Sequence, residues 1–114
     1  MSAADQNTDN DVRTLLQTAS ECYDREQYER AIEFYDRALD ANDLRVNTYM
    51  VKEHRAMAYC KVGRFDEAER DLSALADMIE TKSGRLASSK VMFWLLVARH
   101  KGDEAKAMSE FIAL

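Results

Sequence analysis

Four side chains in this 114-residue chain have the intrinsic chemistry of a nucleophile or a general base near neutral pH: Cys22, Cys60, His54 and His100. Their spacing assembles none of the familiar sites. His54 and His100 fall on separate segments, and no serine or cysteine stands in a triad pattern with either. His54 and Cys60 are too far apart in register to share one face of a helix, which argues against joint metal ligation. No cysteine-pair or histidine–glutamate spacing of a zinc site occurs, and three scattered glycines cannot build a phosphate-cradling loop. The acidic pairs Asp66-Glu67 and Asp103-Glu104 stand where helices open, where negative charge complements the helix dipole. The expectation is therefore a protein without catalytic residues, cofactor or metal: not an enzyme.

Composition narrows the class further. Apolar residues make up 46% of the chain, enough for one modest core in one domain. The formal charge of −5 leaves no basic surface for nucleic acid, so RNA or DNA is not the expected partner. The longest apolar run, Val91 to Ala98, is far shorter than the ~20 residues that cross a bilayer, and no membrane association is expected. The opening residues lack the basic and apolar regions of a signal peptide, and two cysteines make no disulfide framework. A reducing, cytoplasmic location follows as the expectation. Charge is unevenly distributed: residues 1–43 carry eleven acids and four bases, whereas residues 82–114 carry three acids and six bases. Solvated helix faces account for this, and a partner-steering field is the sharper alternative.

With no proline and few glycines, the chain must place these residues on helices. Residues 1–10 are small and polar and are expected to be a disordered tail, with an ordered domain over 11–114. Three- and four-residue apolar steps predict six helices, at about 11–24, 28–41, 44–62, 65–81, 86–101 and 103–114. Gly63 and Gly102 terminate two of them. The fold class is all-α.

The helices repeat in pairs. Tyr28, Ala31 and Tyr35 recur 37 residues later as Phe65, Ala68 and Leu72, and Ala19 recurs as Ala56. A third, degenerate copy places Ala105 in the same register, with two turn residues missing between Gly102 and Asp103. Ala31, Ala68 and Ala105 are the expected points of close helix crossing. This alanine and aromatic pattern, clearest from His54 to Glu69, resembles the tetratricopeptide repeat family. The repeat spacing exceeds the family's ~34 residues, and no copy ends in its usual proline. The extra residues, near Asn42–Tyr49, are expected to lengthen the third helix by about a turn. A helix lengthened there is similar to that in the repeat domains of some J-domain co-chaperones.

The resemblance implies about three tandem antiparallel hairpins in a short right-handed solenoid. It also implies a binding module, with the first helix of each pair lining a concave groove for a protein or peptide partner. A co-chaperone-like accessory subunit is one form of such an adaptor. The family's clamp for chaperone C-terminal carboxylates is not retained: Leu16, Ser20, His54, Ser89 and Phe93 replace its lysines, asparagines and arginine. The groove expected instead is apolar and methionine-rich, formed by Leu16, Ser20, Tyr23, Met50, Glu53, Met57, Cys60, Met92, Phe93 and Leu96, with Arg13, Lys61 and Arg99 at its edges.

The C-terminal pair offers an alternative. Trp94 lies in a helix apolar all round, and the chain continues into Phe111, Ile112 and Leu114. These four residues either cap the stack or hold a homodimer, so a structural homo-oligomer is the alternative reading to the adaptor.

Overall fold

In the computed structural model the described residues are 11–41, 43, 46–83 and 89–114, with side chains described outside 78–83. The expected tail over 1–10 and the expected starts of the third and fifth helices, at 44 and 86, lie outside them. The described residues form six helices and no strand: α1 (Val12–Asp24), α2 (Tyr28–Asp40), α3 (Thr48–Lys61), α4 (Phe65–Ser83), α5 (Ser89–Arg99) and α6 (Glu104–Ala113). Each packs on the next in chain order, and α3 also meets α5.

Local chemistry sets the ends. The Asp11 side chain accepts a hydrogen bond from the Arg13 amide at 2.8 Å and so caps α1. Asn47 caps α3 by accepting from the Met50 amide at 3.2 Å. Because Asn47 is itself extended, α3 begins at Thr48. The helix thus starts later than the expected residue 44. The longest helix is instead α4, with 19 residues.

The three hairpin turns close in one way. The last turn of α1 ends with Glu26 N–H donating to Tyr23 O and Gln27 N–H donating to Cys22 O. Gly63 and Arg64 repeat this pair of bonds on Cys60 and Tyr59, and Lys101 and Gly102 repeat it on Ala98 and Val97. In each case the first donor is left-handed: φ is 61° at Glu26, 82° at Gly63 and 53° at Lys101. The third turn then differs. Gln27 and Arg64 also start α2 and α4, whereas Gly102 is an inserted residue before Asp103 caps α6 through the Lys106 amide at 3.0 Å. A Cβ at Gly102 would sit 2.8 Å from the Phe65 ring, so the insertion needs glycine for space as well as for its φ of 90°.

That insertion corrects the expected register. Ala31 and Ala68 are fully buried, each four residues after the first residue of its turn-to-helix junction, and Ala107 holds that place in α6. Ala105 is exposed. The turn is one residue longer than in the other hairpins, not two shorter, and the second and third turns are themselves 38 residues apart instead of 37, so Ala107 takes the buried place expected of Ala105.

The core has two lobes. Ala19, Cys22, Ala31, Tyr35 and Val51 join α1, α2 and α3. A larger cluster links Ile32 of α2 to the second and third hairpins through Tyr59, Ala68, Leu72, Leu95 and Ala107, among others. A guanidinium ties the lobes together. Arg55 of α3 makes a forked pair with Asp71 of α4 at 3.0 Å from Nε and Nη2, and reaches Asp36 of α2 at 2.9 Å from Nη1. Fork geometry matches a carboxylate with two parallel bonds and joins the two helices of the second hairpin, while the single bond to Asp36 crosses to the first.

The register can be tested directly. Ala107→Leu is expected to cost about 1–3 kcal/mol through overpacking at the α5–α6 crossing, while Ala105→Leu stays within about 0.5 kcal/mol. Urea unfolding followed by circular dichroism distinguishes them, and the reverse order would refute the Ala107 assignment.

Candidate functional site: a cleft between the first and third helices

Two adjoining hollows open between α1 and α3, with volumes of about 200 and 130 Å³. They share Ser20, Tyr35 and His54. Tyr23, Asp24 and Met57 complete the larger, and Leu16, Met50 and Val51 the smaller. Helical spacing explains the arrangement: Leu16, Ser20 and Tyr23 follow one stripe of α1, and Met50, His54 and Met57 one stripe of α3. Tyr35 reaches up from α2 between the stripes, its ring centroid 6.2 Å from that of His54, and is nearly fully buried. Tyr23 meets Tyr28 edge-on at 5.1 Å, which holds the α1 end of the cleft.

Five of the residues expected in the groove thus come together: Leu16, Ser20, Tyr23, Met50 and Met57. The others are placed elsewhere. Cys60 and Leu96 are buried in the larger core cluster. Glu53 is buried too, with an oxygen 3.3 Å from Lys90 Nζ of α5. Phe93 packs edge-on to both Trp94 (5.7 Å) and Phe111 (5.9 Å), turned toward α6. Met92 is half-buried and lines neither hollow. Among the expected edge residues, Arg13 is exposed beside Asp11, Lys61 lies over the Trp94 ring at 5.7 Å, and Arg99 pairs with Glu69 of α4 at 3.2 Å. The groove is shorter than expected because α3 has neighbours on three sides, so that Glu53 meets α5 and Cys60 the larger core cluster rather than solvent.

Tyr35, Val51 and Asp24 were not expected in the site, and His54 was not among the residues assigned to the groove. A signal for Tyr35 exists in hindsight: an aromatic four residues beyond the crossing alanine of α2 points back across α1 and α3.

Burial dominates the electrostatics of the site. Burial, reinforced by the Lys90 ammonium and partly offset by Glu53, holds the His54 imidazole below its ordinary value of 6.5. It is therefore neutral near pH 7, one ring nitrogen donating and the other accepting. Burial pushes the Tyr35 phenol up to about 12. Burial likewise pushes the Cys60 thiol up to about 12, so it is not a ready nucleophile. His100 belongs to the third turn, its Nε2 buried 3.0 Å from a Glu110 oxygen without hydrogen-bond geometry. Among the described residues no group of three His, Cys, Asp or Glu side chains could hold a metal ion, and no helix is long and apolar enough to cross a membrane.

Comparison with known proteins finds no matching family model, no matching curated protein and no matching solved structure.

The His54 environment has a pH signature. Its folded value is lowered, so between that value and 6.5 the unfolded chain binds more protons, and stability falls as pH falls through this window. Urea midpoints of the native chain and His54→Gln, compared across that range, are expected to converge or cross on acidification. A difference independent of pH would exclude a buried neutral His54.

Proposed function

We propose that this chain is a protein-interaction adaptor built of three tetratricopeptide-like hairpins, and that the α1–α3 cleft holds a helix or short apolar segment of a partner. The cleft itself carries the reading. Two methionines, Leu16, two tyrosines and a neutral imidazole make an apolar surface with few polar points, and Met50 is 41% exposed at its mouth. Methionine side chains are long, unbranched and polarisable, so they fit different apolar partners at small conformational cost. Ser20, Asp24 and His54 supply the directional contacts that would orient the guest.

The repeat assignment rests on the recurrent turn and on the buried alanine at one place in all three hairpins. A chaperone-tail clamp is not part of the proposal. No lysine or arginine lines either hollow, and a terminal carboxylate would find no charged donor there. A co-chaperone-like accessory subunit fits this reading only if its client contact is apolar.

Selection of displayed helical peptides on the purified chain tests the proposal. Binders are expected to carry apolar residues three or four apart, and to shift the ε-methyl NMR signals of Met50 and Met57 while leaving that of Met108 unmoved. Met57→Glu should weaken binding by about a hundredfold, because a carboxylate would be desolvated under the guest, with helical content unchanged. Peptides that bind without perturbing either methionine would refute the assignment of the cleft.

A further inference from the structure

The hairpin register places Asp24, Lys61 and Arg99 at one equivalent position, two residues before the left-handed residue of each turn. A base there suits the negative end of a helix dipole, and α3 and α5 each end on one. The first hairpin breaks the pattern. Asp24 is the last residue of α1, no base stands in the last turn of that helix, and a carboxylate there opposes the dipole. No cation compensates it: among the described residues Asp24 makes no ion pair, although Arg25 is adjacent. An acid placed where a base would steady the helix serves something other than the fold.

Its surroundings indicate what. Asp24 lines the larger hollow of the cleft beside Tyr23 and Tyr35. Burial holds both phenols above their ordinary value, and the Asp24 charge adds to the effect. Both are therefore uncharged near pH 7, as His54 is. The nearest cations are turned away: Lys90, whose field reaches His54 from α5, stands 3.3 Å from a Glu53 oxygen, and Lys61 lies over the Trp94 ring at 5.7 Å. The hollow thus holds one carboxylate among neutral groups, with no lysine or arginine in its lining.

The cleft is also polarised along its length. Leu16 and Met50 line the smaller hollow, whereas Asp24 and Met57 line the larger, so α1 and α3 run in the same sense along it. Asp24 follows Leu16 by eight residues, about 12 Å along α1. One end is apolar and the other anionic.

We propose that the guest of this cleft is an amphipathic helix with a lysine or arginine about two turns from its apolar anchor, the anchor seated on Leu16 and Met50 and the cation on Asp24. The proposal rests on the cleft being the docking site and adds the charge and direction of its occupant. Asp24 then gains a counter-charge in the complex alone, where the guest excludes water and strengthens the pair. An acidic or wholly apolar guest would cover the carboxylate and leave it unpaired, which is how the cleft discriminates against such segments.

Helical peptides displayed and selected in parallel on the native chain and on Asp24→Lys test this. Lysine or arginine is expected to be enriched about two turns from the apolar anchor on the native chain, and aspartate or glutamate at that place on Asp24→Lys. For a peptide selected on the native chain, Asp24→Asn should weaken binding about tenfold, and added salt should weaken the native complex more than the Asp24→Asn complex. Both variants without peptide should melt at the native temperature or above it, because the clash with the dipole is relieved. A lower melting temperature would assign Asp24 to the fold and overturn the proposal. Peptides that shift the Met50 and Met57 signals yet show no preference for a cation would overturn it too, while leaving the adaptor reading in place. Peptides that shift neither methionine, or a selection that yields none, would refute the cleft and this proposal with it.

Discussion

Everything in this structure follows from how closely the two helices of each hairpin approach. Ala19, Ala31, Ala56, Ala68 and Ala107 are wholly buried at the crossings, where any larger side chain would push the backbones apart. So close a crossing leaves room for only a tight turn, and each turn spends one residue in the left-handed region. Glycine fills that place once. Glu26 and Lys101 fill it elsewhere, at a conformational cost the surrounding packing must offset.

The close pairs are then joined by different forces on different sides. On one side Arg55 is held between Asp36 and Asp71, with its guanidinium 5.6 Å from the Tyr59 ring, and Arg64 lies 4.7 Å from the same ring while pairing with Glu67. Arg55 and Asp71 are largely shielded from water, so this contact orients α2, α3 and α4 more firmly than the exposed pairs elsewhere, such as Lys101 with Asp66. On the other side, among the described residues, no ionic contact closes the space between α1 and α3. Tyr35 fills its floor, and the cleft remains open above it. The polar linkage and the apolar cleft are thus opposite consequences of one packing arrangement.

Much of this was legible in the residues. The six helices and their pairing follow from apolar spacing and from the types of residue present. Met50 and Met57 could be assigned to one stripe because seven residues bring a helix back to nearly the same face. Glu53 and Cys60 share that same seven-residue relation, yet Glu53 is buried beside Lys90 of α5 and Cys60 within the larger core cluster. Periodicity identifies which residues share a face and is silent on whether that face meets water or another helix.

What the sequence determined by itself is local: where helices form, where they stop, and which small residues permit close crossing, because these depend on capping, chain entropy and side-chain volume within a few positions. Tertiary structure alone decided the register of α6, where one inserted glycine and one further residue between the second and third turns put Ala107 in the place expected of Ala105. It alone decided that Arg55 would bridge three helices. Each of these depends on rotations between helices distant in the chain, and a helix with apolar residues on several sides can be buried in more than one orientation until its neighbours are in place.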